Sequence, residues 1–304
     1  MDFEKILSQL PPEDQAEILK AAAEWMDSEK MEKGQRSFLE FVHTMWPGFI
    51  DGRHHKVMAE KFEEIANGKL KRLIINMPPR HTKSEFASYM LPAWFLGKFP
   101  NKKIIQCSNT AELAVGFGRK VRNLVDSEQY AKIFPNVRLR ADSKAAGRWS
   151  TNGNGEYFAI GVGGTVTGKG GDLVIIDDPH SEQEAALAAG DPSVFDKVYE
   201  WYTSGPRQRL QPGGAIVIVM TRWSLRDLTG KILKAATERD GDEWEVIDFP
   251  AILPSEKPLW PEFWSYDELT ALRRELPLNK WQAQYQQQPT SEQGAIVVGT
   301  GLAV

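Results

Sequence analysis

The stretch Leu73-Ile74-Ile75-Asn76-Met77-Pro78-Pro79-Arg80-His81-Thr82-Lys83-Ser84 carries the groups that phosphate chemistry needs. An apolar strand runs into a tight turn, and the turn closes on Lys-Ser where a helix should begin. In that setting Lys83 neutralises the β- and γ-phosphates of a nucleotide and Ser84 offers its hydroxyl to magnesium. The backbone N–H groups of Arg80, His81, Thr82, Lys83 and Ser84, with the helix N-terminus behind them, form an anion cradle. Against the pattern G-x-x-x-x-G-K-[ST], Met77 and Thr82 stand where glycines are expected. Pro78 and Pro79 donate no N–H and instead stiffen the loop that leads to the cradle. The second half of such a site follows in Leu173-Val174-Ile175-Ile176-Asp177-Asp178, an apolar strand capped by two carboxylates. Asp177 is expected to hold Mg²⁺ directly or through water, and Asp178 to orient or deprotonate the attacking water, with Glu182 or Glu184 as alternatives for that base. The plain alternative is that Asp177-Asp178-Pro179 only turns a strand out of a sheet.

Val217-Ile218-Val219-Met220-Thr221-Arg222-Trp223 reads as a further buried strand ending in polar groups. Either Thr221 and Arg222 lie beside the γ-phosphate, where a hydroxyl senses its loss, or Thr221 caps the strand and Arg222 pairs with Asp227. Arg80, Arg119, Arg122, Arg207, Arg209 and Lys169 are candidates for transition-state charge, in the same chain or from a neighbouring copy; each is equally an ordinary ion-paired surface residue. The glycine-rich run 163–171 is no second phosphate loop, because neither Ser nor Thr follows Lys169; it reads as a mobile loop feeding the Asp177 strand. His43, His54, His55, His81 and His180 lack metal-ligand spacing. His54-His55 either hold a nucleotide base or stand on the surface at a helix start. No nucleophile elbow is present.

These groups need a scaffold that puts them at one end of a sheet. Apolar runs at 73–77, 103–107, 157–160, 173–177, 215–220 and 244–249, with helical stretches such as 84–96 and 109–125 between them, predict a mainly parallel sheet covered on both faces. Ligands of such sheets bind beyond the carboxyl ends of the strands, where Lys83, Asp177 and Thr221 fall. Ahead of the sheet, Pro11-Pro12-Glu13-Asp14 opens a helix. Its apolar positions Ile18, Leu19, Ala22, Trp25 and Met26 suit packing on its own domain, or docking a partner. Further helices are expected around Phe38–Met45 and His54–Ala66, the latter stopped by Asn67-Gly68. Residues 1–68 are thus expected as a helical segment packed on the core, 69–250 as the core, and 251–304 as an extension or linker.

At 304 residues, 41% hydrophobic and 26% charged, the composition is that of a globular protein with ample core. No apolar run reaches the length of a bilayer span, and Met1-Asp2-Phe3-Glu4-Lys5 does not read as a signal peptide. The single cysteine, Cys107, excludes an internal disulfide framework and a cysteine-based zinc site, and reads as a buried strand residue. The net charge of −4 is unevenly spread: residues 69–140 carry 14 basic and 4 acidic side chains, against 8 and 14 in residues 1–68. A basic block around the phosphate loop suits a polyanion, unless the acidic segments of the same fold neutralise it.

Taken together, Arg72–Ser84, Leu173–His180, Arg209–Trp223, Asp227–Gly230 and Ala283–Pro289 resemble the large subunit of tailed-bacteriophage terminases, over roughly residues 36–294. The resemblance implies a P-loop ATPase of the additional-strand type that hydrolyses ATP with Mg²⁺ and drives double-stranded DNA into a procapsid. It implies as partners the portal, a small terminase subunit and sister copies in a ring of about five. It implies work in the host bacterial cytoplasm and transiently at the portal, away from any membrane. Lys83 and Ser84 become the phosphate and magnesium residues, Asp177-Asp178 the carboxylate pair, Thr221 the coupling residue and Arg80 the arginine within the loop. Such subunits continue into a two-metal nuclease. Past Pro289 this sequence has one acid, Glu292, so the expectation is an ATPase portion without nuclease activity. The rival readings are a helicase-like or repair DNA-dependent ATPase, and a non-catalytic nucleotide- or DNA-binding module with a decayed loop.

Overall fold

The computed structural model describes residues 10–290, apart from 167, 189, 192 and 240; Glu292 and the segment around it lie outside the described residues. Three helices come first: α1 (Pro12–Arg36), α2 (Phe38–Met45) and α3 (Arg53–Ala66). Strand β1 (Arg72–Asn76) enters the loop 77–84, which opens into a π-helical turn (Glu85–Met90) continued by α4 (Leu91–Lys98). Next come β2 (Lys103–Ser108), α5 (Ala111–Val125), α6 (Glu128–Ile133), β3 (Leu139–Ala145), β4 (Arg148–Thr151), β5 (Glu156–Gly161) and β6 (Gly171–Asp177). The chain continues through α7 (Glu182–Leu187), α8 (Ser193–Ser204), a 3₁₀ turn (Pro206–Arg209), β7 (Leu210–Met220), α9 (Leu228–Arg239) and β8 (Glu245–Asp248). It closes with α10 (Tyr266–Glu275), the single turn α11 (Leu278–Lys280) and a π-helical turn (Trp281–Tyr285).

Among the described residues, eight strands form one sheet in the order β3-β4-β5-β2-β6-β7-β1-β8. The pairs from β5 through β8 are all parallel, and β3-β4 and β4-β5 are antiparallel. Alternation along each strand splits its side chains between two apolar layers. Leu73, Ile75, Leu173, Ile175, Val217 and Val219 join one layer with α2 to α6. Ile74, Val174, Ile176, Ile216 and Ile218 join the other with α8 and α9. Helices on both faces are why the central strands read as unbroken apolar runs. Cys107 is fully buried in β2, and burial pushes its thiol up, so it is an inert packing residue.

The structure differs from the sequence-based expectation at one edge of the sheet, in α1 and past residue 250. Strands β3 (Leu-Arg-Ala-Asp-Ser-Lys-Ala) and β4 (Arg-Trp-Ser-Thr) were not anticipated, because strands at and near a sheet edge carry polar residues and show no apolar run. Helix α1 packs inward only at its C-terminal end, where Met31 and Gly34 are buried and Trp94 Nε1 donates to the Gly34 carbonyl at 3.0 Å. Ile18, Leu19, Trp25 and Met26 lie exposed, which contradicts packing of that face on its own domain. Helices α2 and α3 do join the core: Phe38 meets Phe62, Phe86 and Trp94 edge-on. Among the described residues past 250, those of 251–286 pack back on the body of the protein. The Ala251 N–H donates to the Tyr285 carbonyl, and Gln286 brackets the backbone of Ile252. Among the described residues no helix is long and apolar enough to cross a membrane.

Candidate functional site

The loop between β1 and the π turn is built tightly. The Met77 N–H donates to the Met220 carbonyl at 3.0 Å, so the loop leaves the sheet against the end of β7. Thr82, at the second glycine position of the motif, has φ +67°, and Arg80 has φ +62°. Both are left-handed conformations that disfavour a Cβ, and a β-branched residue most of all. The backbone demand behind the motif's glycine is therefore met here by a threonine. What holds it is a set of buried imidazoles. The Gly52 N–H donates to His55 Nδ1 at 2.8 Å, which leaves the His55 proton on Nε2, facing Thr82 Oγ1 at 2.5 Å. Thr82 Oγ1 donates in turn to the His81 carbonyl, which also accepts from His54 Nε2 at 3.2 Å. His81 Nδ1 donates to the Pro79 carbonyl at 2.9 Å, and its ring stacks on Trp264.

His54, His55 and His81 are fully buried, the first two beneath the loop and His81 within it, and all three lie against Trp260. Neither expectation for His54-His55, base contact or surface exposure, describes them. The sequence signal was the odd pairing of a threonine in a glycine position with three histidines and no metal spacing. Thr82→Ala keeps the strained backbone and loses the hydroxyl bridge, while Thr82→Gly loses the bridge but relieves about 1–2 kcal/mol of left-handed strain. The glycine variant is accordingly expected to be the more stable of the two by about 1 kcal/mol or more, read from urea midpoints at constant slope.

Beyond the loop the expected groups converge. The Lys83 side chain is buried, and its Nζ lies 2.8 Å from Asp178 Oδ2. Burial works against the charge of Lys83, but Asp178 and Asp177 outweigh it and hold the ammonium above its ordinary value. Ser84 Oγ donates to Asp177 Oδ1 at 2.9 Å and Ser88 Oγ to Asp177 Oδ2 at 2.8 Å. Burial first, and the neighbouring Asp178 second, push the Asp177 carboxyl well above the usual carboxylate range, against the pull of Lys83 and the two serines. Asp178 sits at φ +41°, and its Oδ1 accepts the Thr221 N–H at 2.9 Å. Thr221 Oγ1 donates to the Met77 carbonyl at 3.1 Å, joining the end of β7 to the start of the loop. Asp178 is thus held by both the lysine and the intervening strand.

Arg222 forms a two-point ion pair with Asp227, Nε lying 2.9 and 3.2 Å from its oxygens, and its N–H donates to Gln287 Oε1 at 3.2 Å. That is the structural role foreseen as one alternative for Arg222, while Thr221 touches both halves of the site. Glu184 is occupied as a capping carboxylate, accepting from the Ser181 N–H and from Asn109; Glu182 is exposed on the first turn of α7. Arg80 is exposed at the loop, and Arg119 on α5. Arg207, Arg209 and Lys169 precede β7 and β6, at the opposite end of strands that span roughly 20 Å, so they cannot reach this site within one chain. Arg207 pairs there with Asp242, and Lys169 with Glu156.

The donors suit a hard divalent cation. Ser84 and Asp177 present oxygen atoms side by side, and among the described residues no group of three or more His, Cys, Asp or Glu is arranged to hold a metal. One hydroxyl and one carboxylate, completed by phosphate oxygens and water, is the way Mg²⁺ is usually held.

No family model and no curated protein matches this chain. Solved structures do. The large terminase of bacteriophage HK97 superposes with a TM-score of 0.54 at 14% identity, over 85% of this chain and 55% of that one. The ATPase domain of the Thermus phage P74-26 large terminase superposes with a TM-score of 0.52 at 16% identity, over 83% of this chain and 98% of that domain. The chain therefore spans about half the length of the HK97 protein and nearly the whole of the P74-26 ATPase domain. At these identities the likeness is one of fold: the chain has the mixed α/β architecture of phage large-terminase ATPase domains.

Proposed function

We propose that the chain is the ATPase portion of a phage DNA-packaging terminase, a P-loop enzyme of the additional-strand type. The observation that carries this reading is the meeting of Lys83 and Ser84 with Asp178 and Asp177 across β7, a strand inserted between the loop strand β1 and the carboxylate strand β6. The terminase-ATPase fold supports it.

In this reading Arg80 to Ser84 cradle the phosphates, and Lys83 leaves Asp178 for the β- and γ-oxygens. Asp178 Oδ2, so released, orients the attacking water and takes its proton, while its Oδ1 stays on the Thr221 N–H. Its position on Lys83 and Thr221 favours Asp178 over Glu184, which is engaged as a cap. Ser84 and Asp177 hold Mg²⁺, which when bound neutralises charge building on the phosphate oxygens. Thr221 links occupancy of the site to the loop through Met77. Charge from Arg80, or from an arginine of a neighbouring copy, completes the transition state. Double-stranded DNA is the polymer moved, and the portal, a small subunit and a ring of sister copies are the working partners, in the host cytoplasm.

The test is magnesium-dependent ATP hydrolysis by the purified chain, alone, with double-stranded DNA, and with portal-bearing procapsids. Weak turnover alone that rises with DNA and procapsid is expected. Stimulation by DNA but never by procapsid points to the helicase-like alternative, and no turnover at concentrations that permit assembly leaves the non-catalytic binding module.

A further inference from the structure

Asp177 has a second hydroxyl partner that the phosphate-loop pattern does not contain. Ser88 lies in the π-helical turn, four residues after Ser84, so both serines face β6 from one side of that turn. Ser88 is fully buried, and its hydroxyl donates to Asp177 Oδ2 at 2.8 Å. Behind it, Gln106 in the middle of β2 donates from Nε2 to Ser88 Oγ at 2.9 Å. The amide orientation is set by the Cys107 carbonyl, 3.3 Å from the same nitrogen, where an oxygen would be repelled. With its lone pair taken by Gln106, Ser88 directs its proton to Asp177. Gln106 and Ser88 are both fully buried, and buried polar groups cost stability unless they are paired, as Ser88 Oγ is with Gln106 and Asp177.

We infer that Ser88, backed by Gln106, is a positioning residue for the Asp177 carboxylate, and that it sets how tightly the site takes magnesium. The inference rests on the nucleotide reading of the site. Ser84 cannot serve both Asp177 and a cation with the same hydroxyl geometry; when it turns to the cation, Asp177 Oδ1 is released toward the same centre. Ser88 then fixes the plane of the carboxylate from the other oxygen. Outer partners that orient a metal ligand commonly change metal affinity by about 10–100-fold when removed. π turns of this kind are frequent at functional sites.

The test reads binding, not turnover. A fluorescent ATP analogue is titrated into wild type, Ser88→Ala, Ser88→Thr and Gln106→Met, first with chelator and then over a series of Mg²⁺ concentrations. Ser88→Ala is expected to bind the metal-free nucleotide within about twofold of wild type and to need about 10–100-fold more Mg²⁺ for half of the metal-dependent gain. Ser88→Thr, which keeps the hydroxyl, is expected to restore the wild-type midpoint, and Gln106→Met to fall between. Circular dichroism melts show whether each variant is folded, and Ser88→Thr decides the matter if Ser88→Ala is not. A wild-type magnesium midpoint in folded Ser88→Ala, or a folded Ser88→Thr whose midpoint shifts by about the 10–100-fold expected of Ser88→Ala, overturns the positioning role while leaving the nucleotide site intact. Absence of any magnesium-dependent nucleotide binding in wild type overturns the underlying reading as well.

Discussion

Lys83→Ala is expected to lower magnesium-dependent ATP turnover by roughly 10²–10³-fold, the usual loss when one aimed charge or donor is removed from a site of this kind. The effect should appear in kcat more than in KM, because the lysine meets charge that grows toward the transition state. The same substitution has a second consequence in the nucleotide-free protein. Lys83 is the buried counter-charge of both carboxylates, and its loss leaves Asp177 and Asp178 facing each other. Breaking a buried pair costs about 3–5 kcal/mol, but the Asp178 side chain is 39% exposed and water relieves part of that repulsion, so about 1–3 kcal/mol is expected here. The double variant Lys83→Ala/Asp178→Ala should recover much of this stability and none of the turnover. A cycle of denaturant midpoints with steady-state rates separates the two consequences. Equal stability losses in the single and double variants would mean that the ion pair contributes nothing.

Acid should unfold the protein more readily than its carboxylates alone suggest. Burial lowers His54 to about 3, His55 to about 2 and His81 to about 4, so these imidazoles are neutral. In the unfolded chain they titrate near 6.5. Above that pH neither state binds the protons, and stability does not depend on these groups. Below it the unfolded chain takes protons that the folded one refuses until about pH 4 or lower, so stability falls as the pH drops through that window. Each group contributes up to about 1.4 kcal/mol per pH unit, which for the trio is about 5 kcal/mol between pH 7 and pH 5. That compares with a total of about 5–15 kcal/mol for an ordinary domain. Urea midpoints at pH 7 and pH 5 measure it. His54→Gln, which keeps a donor toward the His81 carbonyl, should reduce the pH dependence by about a third. Asp177, whose carboxyl is raised by burial, gains stability as the pH falls and pulls the net slope the other way. The histidines are therefore read from the variant: a pH dependence unchanged by His54→Gln would show that this imidazole is reached by protons in the folded state.

Much of the candidate site was legible because it is written in local pattern. Apolar runs ending in Lys83-Ser84, Asp177-Asp178 and Thr221 named both the strands and their shared end. What the sequence concealed was tertiary. The insertion of β7 between β1 and β6 is a matter of strand order, which no local pattern carries. Strands β3 and β4 lack an apolar signature because their surroundings do not demand one. His54-His55 looked like a helix start because nothing local says that the helix lies under the loop. Ile18, Leu19, Trp25 and Met26 have core-like spacing, yet α1 leaves the body of the protein before reaching a surface for them. Thr82 misled most usefully: its type argued against a tight phosphate loop, and its φ shows that the backbone adopts the left-handed turn regardless.

The close of β7 also ties two parts of the chain to one residue. The Thr221 N–H is given to Asp178, and the Arg222 N–H, one peptide plane further on, is given to Gln287. Peptide planes are stiff, so only the two backbone torsions of Thr221 separate these donors. A twist imposed on one plane must be absorbed at that single residue or handed to the other. A shift of the Asp178 carboxylate and the posture of the glutamine-rich segment therefore share one short mechanical linkage, with the rest of the sheet as its fixed frame.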